Sequence, residues 1–257
     1  MRVILFSTTD IGLDCVRIIL EKGCCLAGIV SAPKEFSISY SRDRVTNVRH
    51  VDFKTLCQEQ GVPLILLEDK MVSLRDVVAA LKPDLILVAG WFHMVPKSIR
   101  ELAPQGCIGF HASLLPKYRG GAPLVWAMIN QEKEAGMSLF YLEDGVDSGD
   151  IIGQEDFSIE AQDTIADVVK KANSCAGQLL EKYLPLLAQE KAPRVKQDEK
   201  QATIYPQRSP EDGRIDWSWS ADKINAFIRA QTKPYPGAFT EIEGYRMRLW
   251  DACVEEK

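Results

Sequence analysis

The chain has 257 residues, 46% of them hydrophobic and 26% charged, with a formal net charge of −5. That balance excludes a disordered chain, and the length suits one substantial α/β core with a small appendage better than two equal domains. An acidic surface also argues against a general binder of phosphate backbones.

The seven cysteines contain no CxxC pair and read as buried thiols of a reducing compartment. No stretch approaches the ~20 apolar residues of a membrane span, and the start lacks a signal-like cleavage site. Both features point to the cytoplasm, with no membrane partner.

Short apolar runs at 3–6, 26–30, 64–67, 85–89 and 107–110 are rich in Ile, Leu and Val and do not alternate. They predict strands of a parallel sheet covered on both faces. Between them, helical spacing over 11–21 stops at Lys22-Gly23, over 48–60 at Gly61, and over 74–81 before Pro83. The alternation predicts an α/β fold, a doubly wound and mostly parallel sheet, whose sites form at the carboxyl ends of the strands. The loops after Phe6, Val30, Ala89 and Phe110 are therefore the ones to read closely.

Residues 163–187 predict one long amphipathic helix, and the polar, aperiodic stretch 189–201 reads as a linker. The resulting division is a catalytic unit over 1–202 and a small α+β subdomain over 203–257. In the latter, a helix capped at Ser220 runs to about Ala230, and Pro234-Tyr235-Pro236-Gly237 leads into a hairpin split at Glu243-Gly244. Trp217, Trp219 and Trp250 supply more aromatic area than so short a piece buries alone, which raises the expectation of a homodimer.

No GxxxxGK[ST] loop is present, and no GxGxxG follows the first strand, so nucleoside-triphosphate and standard dinucleotide readings lose their main support. Chemistry concentrates in two places. Gly109-Phe110-His111-Ala112-Ser113-Leu114-Leu115-Pro116-Lys117-Tyr118-Arg119-Gly120 starts at a strand end, which aims His111 at the crevice. Glu143-Asp144-Gly145-Val146-Asp147-Ser148-Gly149-Asp150 is an acidic turn between two strand-like runs, and its Asp147 is a candidate partner for the imidazole. Singly, each has a plainer reading: a structural histidine, a hairpin turn, a flexible Arg-Gly-Gly loop.

Together these residues resemble the folate-dependent formyltransferases, whose pattern is an Asn-x-His, a Ser-Leu-Leu-Pro-x-x-Arg-Gly loop and a later Asp in a turn. Ala202 to Tyr205, Asp212 to Trp217 and Pro234 to Phe239 look like the methionyl-tRNA and aminosugar branches of that family. The resemblance implies transfer of a formyl group from N10-formyltetrahydrofolate to a primary amine, without a metal. His111 and Asp147 become the catalytic pair. Trp91, Phe92, His93, Met94, Val95, Leu114, Asp144 and Gly145 become the folate-lining residues, and Thr8, Thr9, Ser113, Tyr118, Arg119 and Gly120 the acceptor-binding ones.

Thr8 and Thr9 also open the first helix, where Thr9 or Asp10 could equally serve as its cap. Arg42, Arg44 and Arg49, in a basic stretch, offer a grip for a pyrophosphate or form a merely solvated loop. A nucleotide-linked aminosugar is the expected acceptor and nucleic acid an unlikely partner, the C-terminal piece being short and not basic. A methionyl-tRNA acceptor, a formyltetrahydrofolate hydrolase and a folate-binding protein with lapsed activity stay open. One departure stands out: Gly109 occupies the place of the family's asparagine, so no side-chain amide is available there to hold the formyl oxygen.

Overall fold

A computed structural model describes residues 1–37, 44–68 and 70–255. Its centre is a seven-stranded sheet built from β1 (Arg2–Phe6), β2 (Cys25–Ser31), β3 (Leu64–Leu66), β4 (Leu85–Val88), β5 (Cys107–His111), β6 (Glu134–Tyr141) and β7 (Ile151–Ser158). The strand order is β7-β6-β5-β4-β1-β2-β3. The first five strands run parallel, while β6 and β7 turn antiparallel at one edge. The chain leaves β1 toward one side and returns at β4 to build the other, so the crevice at this switch lies beyond Phe6 and Val88. Thr8 Oγ1 donates to the Gly90 carbonyl at 2.8 Å and stitches the two loops together.

Side chains alternate between the faces of a strand, and here both faces are covered. Val3, Leu5, Leu85, Leu87 and Ile108 meet one helical layer; Ile4, Phe6, Ile86, Val88 and Cys107 meet the other. This double burial is why the strand runs do not alternate in polarity.

The helices are α1 (Ile11–Glu21), α2 (Lys54–Gln60), α3 (Arg75–Ala80), α4 (Lys97–Arg100), α5 (Pro123–Ile129), α6 (Ile165–Ala188) and α7 (Ala221–Gln231). A capping box of Thr164 and Asp167 starts α6, and the Ser220 hydroxyl accepts the Lys223 N–H at 3.3 Å to start α7. Beyond α7, β8 (Ala238–Ile242) and β9 (Tyr245–Leu249) form the expected hairpin. Phe227, Ile228, Ala230 and Ala238 of this last stretch enter the same core as β1. Trp219 packs edge-on against Phe227, whereas Trp217 and Trp250 stay exposed. Among the described residues no helix is long and apolar enough to cross a membrane.

Two expectations need correction. The helix expected over 48–60 begins only at Lys54, because the preceding residues pair with the loop after β1 instead: Val51 N–H donates to the Thr8 carbonyl at 3.0 Å and His50 bridges to Thr9. The stretch 189–201 is no free linker. Val195 exchanges both backbone hydrogen bonds with Ile151, at 2.8 and 2.9 Å, which ties it to the start of β7.

Candidate active site

Cys107, Gly109 and His111 share one face of β5, since alternate residues of a strand point the same way. His111, the last residue of the strand, is buried. Its Nε2 lies 2.7 Å from the Tyr118 carbonyl. A carbonyl can only accept, so Nε2 carries a proton and Nδ1 is the nitrogen left to exchange one. Asp147 Oδ2 stands 3.5 Å from that Nδ1. This is longer than an ordinary hydrogen bond.

Asp147 is placed by the turn joining β6 to β7. It adopts a left-handed φ of 48°, a conformation Asp tolerates, and its Oδ2 accepts the Gly120 N–H at 2.8 Å. Gln197 holds the same turn from outside, donating through Nε2 to the carbonyls of Asp147 at 2.7 Å and Gly149 at 2.8 Å. Gln197 carries no motif and sits in the polar stretch read as a linker, so nothing in the sequence marks it.

The loop from His111 to Gly120 is braced throughout. Ser113 Oγ donates to the Lys117 carbonyl at 2.7 Å, and Ser138 Oγ donates to the Ser113 carbonyl at 2.6 Å while accepting the Leu115 N–H. Arg119 and Gly120 pair in parallel with Ile204 and Tyr205. Tyr118 stacks on Tyr205 with ring centroids 4.7 Å apart and donates its hydroxyl to Glu132 at 2.6 Å. Burial, reinforced by that carboxylate, pushes the Tyr118 hydroxyl well above its ordinary value, so it stays protonated.

Of the other expected acceptor residues, Arg119 and Thr8 are engaged within the fold. The Arg119 guanidinium is buried and bonds Gln197 and both Glu199 oxygens at 2.7–3.0 Å. Thr8 is buried, donating to Gly90 and accepting from Asn47. Thr9 Oγ1 is buried against Gly90 without a partner among the described residues. The first helix has no side-chain cap, and Asp10 instead pairs with Arg49 at 2.5 Å. Arg44 donates to the Glu35 carbonyl at 2.9 Å, and Arg42 lies outside the described residues.

Of the expected folate-lining residues, Trp91, Phe92 and His93 form an aromatic group with Phe36 and Phe6, ring centroids lying 5.0–5.6 Å apart. Trp91 Nε1 and His93 Nε2 are buried without partners among the described residues, and burial lowers the His93 imidazole below its ordinary value. Met94 is exposed, Val95 is buried in the core, and Leu114 packs on Gly136. Asp144 and Gly145 line a cleft of 640 Å³ together with Arg100, Cys107 and Leu142. Gly109 is buried between Leu142 and Val88. A Cβ there would stand 2.8 Å from Leu142 Cδ1 and 3.3 Å from the Val88 carbonyl oxygen.

The family profile described as formyl transferase matches residues 52–184, and the profile for its C-terminal domain matches 208–257. A methionyl-tRNA formyltransferase of Alkaliphilus oremlandii is 34% identical over 261 residues, spanning all of this chain and 81% of its own length. The chain belongs to the formyl transferase family. Two solved structures share the fold of this formyl transferase. A 4-N formyltransferase from Francisella tularensis superposes with a TM-score of 0.77 at 19% identity, covering 100% of this chain and 98% of that one. A sugar 3N-formyl transferase solved in the presence of dTDP and 5-N-formyl-THF superposes with a TM-score of 0.70 at 16% identity, covering 96% and 93%.

Proposed function

We propose that this formyl transferase moves a formyl group from N10-formyltetrahydrofolate to the primary amine of a nucleotide-linked aminosugar, with His111 and Asp147 handling the proton. The observation that carries the reading is the free Nδ1 of His111 beside the Asp147 carboxylate at the end of β5.

The folate supplies the activated formyl carbon, and the residues at the crevice fit such a ring system. Trp91, Phe92, His93 and Phe36 offer flat apolar faces, and Trp91 Nε1 and His93 Nε2, without partners among the described residues, offer polar atoms to a heterocycle. When the acceptor nitrogen bonds to the formyl carbon it becomes cationic and must lose a proton. His111 Nδ1 takes that proton, Asp147 stabilises the resulting imidazolium, and the imidazolium returns the proton to the leaving nitrogen as the old carbon–nitrogen bond breaks. The Tyr118 carbonyl holds the ring at Nε2 throughout, so the proton moves at one atom only. A reducing, folate-containing cytoplasm suits seven free cysteines.

The small-molecule acceptor is favoured by the electrostatics of the last fifty residues. Arg246 pairs with Glu211 and Glu241, Arg214 pairs with Glu241, and Arg248 donates to the Pro236 carbonyl. Arg214 and Arg246, paired with carboxylates in this way, give little field to attract a nucleic acid. Methionyl-tRNA remains the second reading, favoured by the 34% identity to an enzyme of that name.

The test is formyl transfer from N10-formyltetrahydrofolate to a panel of nucleotide-linked 3- and 4-amino sugars and to methionyl-tRNA, with His111→Ala and Asp147→Ala alongside. Transfer to a sugar, lost in both variants, supports the reading. Transfer to methionyl-tRNA alone replaces the acceptor, and transfer to no amine replaces the function.

A further inference from the structure

Arg100 ends α4 and belongs to no sequence motif, yet it grips one limb of the turn that carries Asp147. Its Nη1 donates to the Leu142 carbonyl at 2.9 Å and its Nη2 pairs with Asp144 Oδ1. The Arg100 side chain is only 12% exposed while Asp144 is 73% exposed, so the cation is drawn inward and the acid waits at the rim. The Nε–H is buried with no partner among the described residues. A buried guanidinium that leaves one donor unpaired is a poor device for stability, because desolvation offsets much of the attraction. Geometry is what it sets well: a planar fork fixes two acceptors at once.

Two things follow from the position of the turn. The Leu142 N–H is bonded to the Cys107 carbonyl at 2.8 Å and the Leu142 side chain covers Gly109. Asp147, on the same turn, meets His111 and Gly120. Gln197 secures the far limb at Asp147 and Gly149, so Arg100 is the matching hold on the near limb.

We infer that Arg100 is a positioning residue for the proton-transfer pair: it clamps the 142–145 limb so that Leu142 stays over Gly109 and Asp147 stays within reach of His111. The inference rests on the formyl-transfer reading, and its test separates the two. Steady-state kinetics are measured for Arg100→Met, Arg100→Lys, Asp144→Ala, Asp147→Ala and the double variant Arg100→Met/Asp147→Ala, with hydrogen exchange of the turn amides and thermal midpoints for each.

Arg100→Met is expected to lower kcat about tenfold with little change in the KM of the acceptor, as neighbours coupled through one network do. Arg100→Lys recovers part of the loss, and Asp144→Ala shows a smaller one. In the Asp147→Ala background Arg100→Met has no further effect on kcat, and amide exchange between Leu142 and Gly149 speeds up. An equal loss in both backgrounds, or unchanged exchange in the turn, overturns the inference. Should the wild type transfer formyl to no amine, the functional reading fails, and the exchange of the turn amides still decides whether Arg100 clamps it. Asp144→Ala, altered at an exposed position, serves where Arg100→Met does not fold.

Discussion

Leu142 fills the space that a side chain at Gly109 would need, its Cδ1 standing 2.8 Å from where a Cβ would be. Restoring an amide at 109 is therefore a two-residue problem. Gly109→Asn alone overpacks the space against Leu142 and Val88 and is expected to cost about 1–3 kcal/mol. Adding Leu142→Ala recovers most of that loss, and kcat of the double variant rises above that of Gly109→Asn. Urea unfolding and single-turnover transfer on the four proteins check both statements.

Asp147→Asn separates the charge of this residue from its hydrogen bond. The amide oxygen still accepts the Gly120 N–H, so the thermal midpoint moves little. Without a negative charge the imidazolium loses its partner, and kcat is expected to fall by about 10²-fold or more. A variant that keeps wild-type kcat would remove Asp147 from the mechanism.

Gly120→Ala strikes the backbone that feeds Asp147. Gly120 has a φ of +93°, and a Cβ there would meet the Tyr205 carbonyl oxygen at 2.4 Å. A shift of this pair also withdraws the N–H from Asp147. The expected result is a loss of roughly 1–3 kcal/mol in stability, from strain alone, together with a fall in kcat.

Acid should unfold the protein through specific carboxylates. The Thr164 hydroxyl and N–H hold Asp167 below the usual carboxylate range, the Arg119 guanidinium does the same for Glu199, and the Arg246 guanidinium for Glu211. A carboxyl depressed in the folded state stabilises it above the unfolded value of about 4, and that contribution is lost as pH falls through the folded value. The thermal midpoint is thus expected to be insensitive to these groups above about pH 5 and to drop below about pH 4. Glu199→Gln should flatten part of the decline in a series of melts from pH 6 to 3.

Alkylation should divide the cysteines by depth. Burial pushes Cys107 up to about 12 and Cys15 higher still, so neither offers a thiolate near neutral pH. Cys25 and Cys253 are exposed. Brief iodoacetamide treatment of the native protein, read by peptide mass spectrometry, should label those two first.

The parallel strands were legible as continuous apolar runs buried on both faces, and α1, α6 and α7 by their helical periodicity and stop or cap signals. Residues 48–53 misled because Val48 and Val51 mimic helical spacing while the backbone there answers to Thr8 and Thr9. His111 and Asp147 could be picked out as a pair, since both lie in dense, unusual stretches and the structure brings them to 3.5 Å. Arg100 and Gln197 could not, because what matters about them is which distant carbonyls they reach, and no local pattern encodes that. Arg119 shows the converse: a charged residue in a conspicuous motif can be occupied entirely by its own chain.

His111 closes β5 and Asp147 follows β6, and β5, β6 and β7 are neighbours in both sequence and space, joined by antiparallel pairing. The β6–β7 pair forms from one contiguous piece of chain with little loop entropy to overcome, while the connection from β5 to β6 carries α5. The loops after β1 and β4 come instead from the parallel half, which long crossovers assemble. His111 and Asp147 therefore rest on the edge of the sheet that needs no parallel crossover to form.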